Sequence, residues 1–248
     1  MNRWLVGMVM AVTLIQAAGC SEVSVSGKTA KDVFQDPQTL ALVEAACDGD
    51  IPKIDSLVKQ GAHVNATGYR DTSVLAWAMQ CRNYEGIERL LELGANPNYK
   101  MEGDMSPMWL SAGSNDPHFL PLMLAHGGDP NIRVGFRTAL MIAIEHGRMQ
   151  NVEMLLDHGA DVNEHDEVGN TAATYAAGLT KFNIVIMLIK HGYNYDLKRL
   201  AFGVNGNVVP KDSDLFIQKK QVLEMLKERG VKFPLPPPGI APPPPGIK

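Results

Sequence analysis

The sequence of 248 residues lacks the short motifs that position catalytic groups in most enzymes. It contains no Gly-x-Ser-x-Gly elbow, no Walker phosphate loop and no Cys-x-x-Cys pair, and its Asp and Glu residues are scattered. These absences predict that the protein is not an enzyme, that it has no catalytic residues and that it binds no cofactor.

Positive charge is also scarce in this chain. The 23 Lys and Arg residues are outnumbered by 27 Asp and Glu residues, which gives a formal net charge of −4. Proteins that bind nucleic acids concentrate basic residues in a patch or stripe, and no such stripe is visible here. We therefore expect no nucleic-acid partner.

Long apolar runs are absent as well. The uncharged run near the N-terminus, Trp4 to Ala18, is shorter than the roughly 20 residues that a transmembrane helix needs. It is typical of a secretory signal peptide. The run ends in Ala17-Ala18-Gly19-Cys20, which resembles a bacterial lipobox, in which the cysteine becomes the lipidated first residue after cleavage.

This resemblance implies a lipoprotein signal peptide at residues 1–19, followed at 20–35 by a lipidated cysteine, Cys20, and a flexible tether. Ser21, rather than Asp, follows the cysteine, which in a Gram-negative cell implies sorting to the outer membrane. The expected location is therefore the outer membrane, with the protein lipid-anchored and facing the periplasm. The alternative is ordinary cleavage near Ala18 with an incidental cysteine.

The most informative feature that is present is a pentapeptide that occurs five times, each copy starting with Gly and ending in Asn or Asp. Its glycines, which are 33, 33, 32 and 33 residues apart, are Gly61, Gly94, Gly127, Gly159 and Gly192. A fixed period of this length indicates a repeat protein.

A second landmark, a Ser or Thr, lies 21 residues before each of the last four glycines and opens a helix rich in small residues. These residues are Ser73, Ser106, Thr138 and Thr171. The two landmarks resemble the ankyrin repeat, whose pattern is Thr-Pro-Leu-His-x-Ala, a short helix, a longer helix and then Gly-Ala-Asp-x-Asn. The resemblance covers about residues 36–230. It implies an all-α ankyrin-repeat solenoid of about six helix-turn-helix units with β-hairpin fingers, in a domain at residues 36–233.

Physical chemistry agrees with this interpretation. A Ser or Thr can cap the first helix of each repeat by accepting a hydrogen bond from a free backbone N–H. The glycine can end the second helix, because the residue after a helix often needs a left-handed backbone. The Asn or Asp four residues later suits the turn that starts the finger.

Several residues depart from the repeat pattern. Arg82 stands where the family usually has the glycine between the two helices, and Asp104 and Phe136 stand where the finger commonly has glycine. Pro117 fits the first turn of a second helix. Pro121 lies deeper in that helix, where a proline removes a hydrogen bond and predicts a kink.

The two ends of the predicted domain are atypical. Leu40 occupies the place of the capping Ser or Thr in the first repeat, while 203–214 is typical of an inserted loop and 215–229 of a final helix. Residues 234–248 contain Pro-Pro-Pro-Gly-Ile twice, a composition that favours an extended polyproline helix. We expect a proline-rich disordered tail there, with a short ligand for a partner groove as the alternative.

Three histidines, His126, His158 and His191, occupy the same repeat position just before the glycine that ends a helix. Adjacent repeats are about 10 Å apart, whereas zinc ligands lie near 2 Å from one centre. We therefore predict no metal site and expect these side chains to complement the helix C-terminus.

Cys47 and Cys81 fall on the first helices of adjacent predicted repeats. An oxidising periplasm permits a disulfide. We expect the helices to be too far apart for the short Cα separation of such a bond, which favours two free, partly buried thiols and leaves the disulfide as the alternative.

Ankyrin proteins bind partners through the tips of the fingers and the exposed side of the first helices, and the resemblance carries this role onto matching positions here. Interfaces favour Tyr and Arg as anchors, so Tyr69, Arg70 and Arg137 are the strongest candidates; the alternative is a merely solvated surface. Trp77 and Trp109 are expected in the core. The candidates are Tyr69, Arg70, Thr72, Gln80, Glu102, Met105, Ser114, Arg137, Glu145, His146, Glu167 and Asn170, and the mapping also includes Cys81, Val134, Val168 and Leu179.

The expected function is that of a non-catalytic, protein-binding lipoprotein of the bacterial envelope. Bacterial ankyrin-repeat lipoproteins of this type are similar to immunity proteins that neutralise phospholipase effectors of type VI secretion, so the resemblance implies a secreted lipase as the partner. The alternative is a periplasmic scaffold or adaptor that supports an oxidative-stress enzyme.

Overall fold

The computed structural model describes residues 27–235, so the predicted signal peptide, Cys20 and the proline-rich tail from residue 236 onward lie outside the described residues. Within this range the chain forms thirteen α-helices, a 3₁₀ turn (Tyr69–Asp71) and one two-stranded sheet. The helices are α1 (Ala30–Val33), α2 (Pro37–Asp48), α3 (Ile51–Lys59), α4 (Val74–Cys81), α5 (Tyr84–Glu92), α6 (Pro107–Gly113), α7 (Phe119–Ala125), α8 (Ala139–Glu145), α9 (Met149–Asp157), α10 (Ala172–Gly178), α11 (Phe182–Lys190), α12 (Leu197–Gly206) and α13 (Asp214–Glu228).

From α2 onward the helices form six consecutive pairs, α2–α3 to α12–α13, each of which is one repeat. The predicted fold class, an all-α ankyrin-repeat fold with fingers between the pairs, is confirmed. One finger is a short antiparallel hairpin of β1 (Arg133–Val134) and β2 (Arg137–Thr138). Two others are closed by single bridges, Thr67 with Ser73 and His165 with Thr171.

The chain divides into two compact units. Among the described residues, one comprises 27–107 together with Ala125–Gly128, and the other comprises Met108–Leu124 and 129–235. In the first unit α2 packs on α3, α4 and α5; in the second, α10 packs on α8, α11 and α12. No helix between residues 27 and 235 has the length and apolar character that a membrane span requires.

Local capping follows the sequence prediction. Ser73, Thr138 and Thr171 each precede a first helix and accept a hydrogen bond from the backbone N–H three residues later, at 3.1–3.2 Å. The five glycines of the pentapeptide all have positive φ, from 82° to 101°, as expected for residues that end a helix. Arg82 takes the same left-handed conformation, with φ 55°.

The asparagine of the pentapeptide joins neighbouring repeats. In the first unit, Asn65 Oδ1 accepts from the Asn96 N–H at 2.7 Å and its Nδ2 donates to the Gly94 carbonyl at 2.9 Å. In the second unit, Asn131 makes the same two bonds to Asp161 and Gly159, at 2.7 and 3.4 Å. This residue therefore acts on the turn of the next repeat, whereas the sequence predicted a role in its own turn.

Two basic residues occupy the N-cap position of a second helix, where Ser, Thr, Asp or Asn is preferred. Arg148 precedes α9 and Lys181 precedes α11, and neither side chain caps the helix that follows it. Each reaches back to the previous repeat instead: Arg148 Nε donates to the Gly113 carbonyl at 3.3 Å, and Lys181 Nζ donates to the Ile144 carbonyl. Each cation thus binds a carbonyl at the end of a first helix, where positive charge is favourable.

The two prolines of the third repeat behave differently from the prediction. Helix α7 begins at Phe119, so Pro117 precedes the helix and Pro121 is its third residue. A proline in the first turn removes an N–H that has no intrahelical partner, so the premise of the predicted kink, a proline deeper in the helix, is wrong.

The boundaries of the end repeats also differ. Helix α2 begins at Pro37, with Asp36 as its cap, so Leu40 lies inside the helix and not at its cap. Helix α12 extends to Gly206, which shortens the predicted loop to about 207–213, whereas the predicted final helix is confirmed as α13. In the segment predicted as a tether, Val33 and Phe34 are buried, so its last residues belong to the packed structure.

Cys47 and Cys81 form a disulfide, with Cα atoms 5.2 Å apart, so the expectation of two free thiols is wrong. The error came from using the distance between helix axes. Axes about 10 Å apart, with Cα atoms about 2.3 Å from each axis, leave roughly 5 Å between facing Cα atoms. That separation suits a disulfide.

Candidate protein-binding surface

The finger of the second repeat ends in a tight turn that contains three of the predicted site residues. The Thr72 N–H and Oγ1 both donate to the Tyr69 carbonyl, at 3.3 and 2.8 Å. The two residues between them, Arg70 and Asp71, have positive φ of 58° and 55°. The Tyr69 side chain projects into solvent, 54% exposed, with Lys28 Nζ 4.6 Å from its ring centroid. This turn therefore presents an aromatic ring at its tip.

Arg70 is tied to the next finger. Its Nε donates to Glu102 Oε2 at 2.6 Å and its Nη2 to Oε1 at 3.3 Å, a two-point contact between residues that are both about half exposed. This hydrogen bond is the main cause that raises the pKa of Arg70 and lowers the pKa of Glu102. The structure therefore pairs two predicted site residues with each other. The pairing occupies the charged groups that were expected to contact a partner.

The other predicted residues of the first unit are less prominent. Gln80 lies half-buried in the last turn of α4. Met105 is half-buried in the finger of the third repeat, and its carbonyl accepts from the Met101 N–H at 2.8 Å. Neither offers a large exposed group to a partner.

In the second unit, Arg137 is paired in the same way as Arg70. Its Nη1 lies 2.9 Å from Glu145 Oε2, which joins the finger to the end of α8. The Arg137 carbonyl accepts a hydrogen bond from Trp109 Nε1 at 3.2 Å. Trp109 was expected in the core but is only partly buried. Trp77, in contrast, is buried as expected, with 2% exposed.

Ser114 and His146 serve the fold at the turns between helices. His146 Nδ1 lies 2.9 Å from the Gly113 carbonyl, and Ser114 Oγ accepts from the Asp116 N–H at 3.0 Å. Asn151 Nδ2 donates to the Ser114 carbonyl at 3.2 Å. These bonds hold together the two turns that line a shallow pocket.

Glu167 and Asn170 lie in the finger of the fifth repeat. The buried Asp166 carboxylate accepts from the Val168 N–H, the Asn170 N–H and Asn170 Nδ2, at 2.7–3.0 Å. Asn170 Oδ1 in turn accepts from Arg199 at 2.9 Å. Asn170 is thus part of the finger's own framework, whereas Glu167 is exposed.

Three exposed apolar side chains of the second unit lie at finger turns or just after a first helix. The sequence mapping included Val168 and Leu179 but not Phe136. Phe136 is 52% exposed and Val168 is 58% exposed, both at finger turns, and Leu179 is 44% exposed just after α10. The sequence did carry a signal for Phe136, because a large apolar side chain stands there where the finger commonly has glycine.

His158 and His191 lie at helix ends, as predicted. His158 and His191 each place Nδ1 at 2.8–2.9 Å from the carbonyl four residues earlier, at the ends of α9 and α11. Among residues 27–235, no group of three or more His, Cys, Asp or Glu side chains is placed to hold a metal ion.

Comparisons with known proteins agree with this geometry. Residues 108–199 match the family described as Ankyrin repeats (3 copies). The chain is 31% identical over 175 residues to human SH3 and multiple ankyrin repeat domains protein 2. The matched region covers 66% of this chain and 9% of that protein. It is 31% identical over 157 residues to Protein PhlB of Serratia liquefaciens, which covers 60% of this chain and 66% of that protein. The putative ankyrin repeat protein YahD of Escherichia coli is 27% identical over 155 residues, 60% of this chain and 77% of that protein.

A solved structure shows the same fold. The crystal structure of an ankyrin repeat domain from Acinetobacter baumannii AYE is similar with a TM-score of 0.60 and 26% identity, and covers 77% of this chain and 98% of that domain. Ankyrin repeats bind other proteins and are generally non-catalytic. The paired helices, the asparagine contacts between repeats and these matches together identify the chain as an ankyrin-repeat protein.

Proposed function

We propose that this ankyrin-repeat protein is a non-catalytic binding lipoprotein of the bacterial envelope, tethered through Cys20 to the outer membrane and facing the periplasm. The lipobox-like sequence that ends at Cys20 supports the anchor. The disulfide between Cys47 and Cys81 supports an oxidising compartment, because such bonds are rare in the cytosol. The similarity to proteins from Serratia and Escherichia supports a bacterial setting.

The observation that carries the binding role is the exposure of large side chains at the finger turns. Tyr69 in the first unit, and Phe136 and Val168 in the second, are each more than half exposed. Aromatic side chains are frequent anchors of protein interfaces. The arginines beside two of them are already paired within the chain, which leaves these rings and aliphatic groups as the free contacts.

The partner that we propose is a phospholipase effector delivered by type VI secretion, which the chain would bind and neutralise. The support is architectural: a binding module on a lipid anchor lies next to the membranes that such an enzyme attacks. Fold alone does not specify a partner, so this step rests on analogy with ankyrin-repeat immunity lipoproteins.

The test combines gene context with inhibition. The purified chain should co-purify with the lipase encoded by the neighbouring gene and suppress its hydrolysis of phospholipid vesicles. Tyr69→Ala and Phe136→Ala should each weaken this inhibition at least tenfold, while exposed Lys198→Met should not. Mass spectrometry of the mature N-terminus should show lipid on Cys20.

A deletion strain that shows no added sensitivity to its sister cells would refute the immunity role. A neighbouring gene for a catalase, together with co-purification of that enzyme, would favour the alternative of an oxidative-stress scaffold.

A further inference from the structure

The disulfide lies where the first two repeats of the first unit touch. Cys47 is the last residue but one of α2, and Cys81 is the last residue of α4. Cys47 is buried, with 8% exposed, whereas Cys81 is half-buried. A small thiol can therefore approach the bond from the side of Cys81.

The packing around the bond leaves little space. A Cβ atom added to Gly86 would lie 2.0 Å from the Ala46 carbonyl oxygen, and one added to Gly49 would lie 2.5 Å from the Asn83 amide. The end of α2 therefore rests almost on the backbone of the first turn of α5. Bonded sulfurs are about 2.0 Å apart, whereas non-bonded heavy atoms separate to roughly 3.5–4.0 Å. Reduction would therefore drive these two closely packed helix ends apart.

The same helices support the finger turn that carries Tyr69. Helix α4 starts two residues after Thr72. Gly68 of this finger lies against α1, because an added Cβ would be 2.4 Å from the Val33 carbonyl oxygen. Phe34 packs edge-on against Trp77 of α4, with ring centroids 5.9 Å apart. The segment before α2, the finger and α4 thus form one packed cluster.

A terminal repeat has a neighbour on one side only, so its docking depends on a single interface. We propose that the Cys47–Cys81 disulfide is a redox-sensitive clamp: it holds α1–α3 against α4 and the Tyr69–Thr72 turn, and its reduction releases these helices and loosens the turn. The importance of this turn for binding rests on the proposed function, whereas the clamp does not.

The chemical step is thiol–disulfide exchange with a dithiol reductant. One thiolate of the reductant attacks the Cys81 sulfur, and Cys47 leaves as a thiolate and takes up a proton. The second thiol of the reductant then displaces Cys81. The reductant becomes a cyclic disulfide, two electrons pass to the protein, and two protein thiols result.

The experiment uses the full chain with Cys20→Ser, so that only this pair reacts, and compares it before and after treatment with dithiothreitol. Backbone hydrogen exchange followed by mass spectrometry should rise at least tenfold in peptides from 30–60 and 66–72, while peptides from 139–190 keep their rates. N-ethylmaleimide should then label Cys47 within about twofold of the rate for Cys81, although Cys47 is buried in the oxidised chain.

The control is the variant that also carries Cys47→Ser and Cys81→Ser. In oxidising buffer it should match the reduced chain, and dithiothreitol should not change it. Unchanged exchange in 30–72 with Cys47 still protected would overturn the proposal, because the bond would then be a passive staple. An equal rise in all peptides would also overturn it, because the whole fold would have opened. Failure of the lipase assay with a responsive clamp would refute only the proposed function.

Discussion

Substitution of Gly86 by Ala tests the closest contact between the first two repeats. Gly86 is the third residue of α5, and its missing side chain lets the helix approach α2 so closely that an added Cβ would lie 2.0 Å from the Ala46 carbonyl oxygen. Ordinary contact begins at 3.4 Å, so α5 would have to move by about 1.4 Å (3.4 − 2.0). Neither atom can rotate away, because the obstacle is backbone.

Such overpacking typically costs about 1–3 kcal/mol, and occasionally more when backbone must move. Ala has an intrinsic helix preference over Gly of about 1 kcal/mol, which offsets part of this cost. Because backbone must move, we take the upper end of this range, about 3 kcal/mol, and the offset leaves an expected net loss of about 2 kcal/mol in the free energy of unfolding of Gly86→Ala, measured by urea denaturation monitored by circular dichroism at matched m-values.

The matched control is Gly203→Ala in α12. Gly203 is helical, and an added Cβ would meet no atom within 4 Å. This variant should gain about 0.5–1 kcal/mol, because Ala loses less conformational freedom than Gly on folding. A Gly86→Ala variant as stable as the wild type would show that α5 is free to shift. The close approach would then not contribute to the free energy of unfolding.

Three further predictions concern contacts between repeats. Lys181→Met should lower the free energy of unfolding by about 1–2 kcal/mol, because it removes a charged hydrogen bond at a helix end; a loss under about 0.5 kcal/mol, equal to that of exposed Lys198→Met, would contradict this role. Asn131→Ala removes both of its bonds to the next repeat and should cost about 1 kcal/mol in the same assay; no change would mean that water replaces them. A double-mutant cycle on Arg70 and Glu102 should show favourable coupling at neutral pH. The pKa of Glu102 is lowered in the folded state, so this stabilisation is present above the ordinary carboxyl pKa of about 4.3 and is lost as the pH falls below it; coupling that persists at pH 2 would refute the ion pair.

The sequence predicted those parts of the fold that depend on local contacts. The caps at Ser73, Thr138 and Thr171 bond to atoms three residues away, so a short motif contains all the information needed. The same holds for the glycines that end the second helices. Predictions failed at the end repeats, where the pattern itself changes. The cap of α12, Asp196, follows Gly192 by only four residues (196 − 192), without a finger, although elsewhere the cap residue follows the glycine by 11 or 12.

The candidate surface was predicted less well than the fold, because its contacts join residues about one repeat apart. Arg70 and Glu102 are 32 residues apart, so no local pattern reveals that the expected anchor is already paired. The disulfide between Cys47 and Cys81 has a separation of 34 and was missed for a geometric reason, the use of axis distances. In a repeat protein, a comparison of side chains at offsets near 33 would have exposed both pairs.

The paired arginines change which groups can drive binding. If Arg70 and Arg137 were free, a partner could gain charged hydrogen bonds at little cost. Because each already contacts a glutamate, a partner that uses it must first break that pair, and the net gain is small. The ion pairs instead hold the fingers in fixed positions, and groups that are ordered before association lose less entropy on binding. Tyr69 and Phe136 thus stand on ordered turns, and for the binding role proposed above we expect the exposed rings, and not the charges beside them, to be the main source of affinity for a partner.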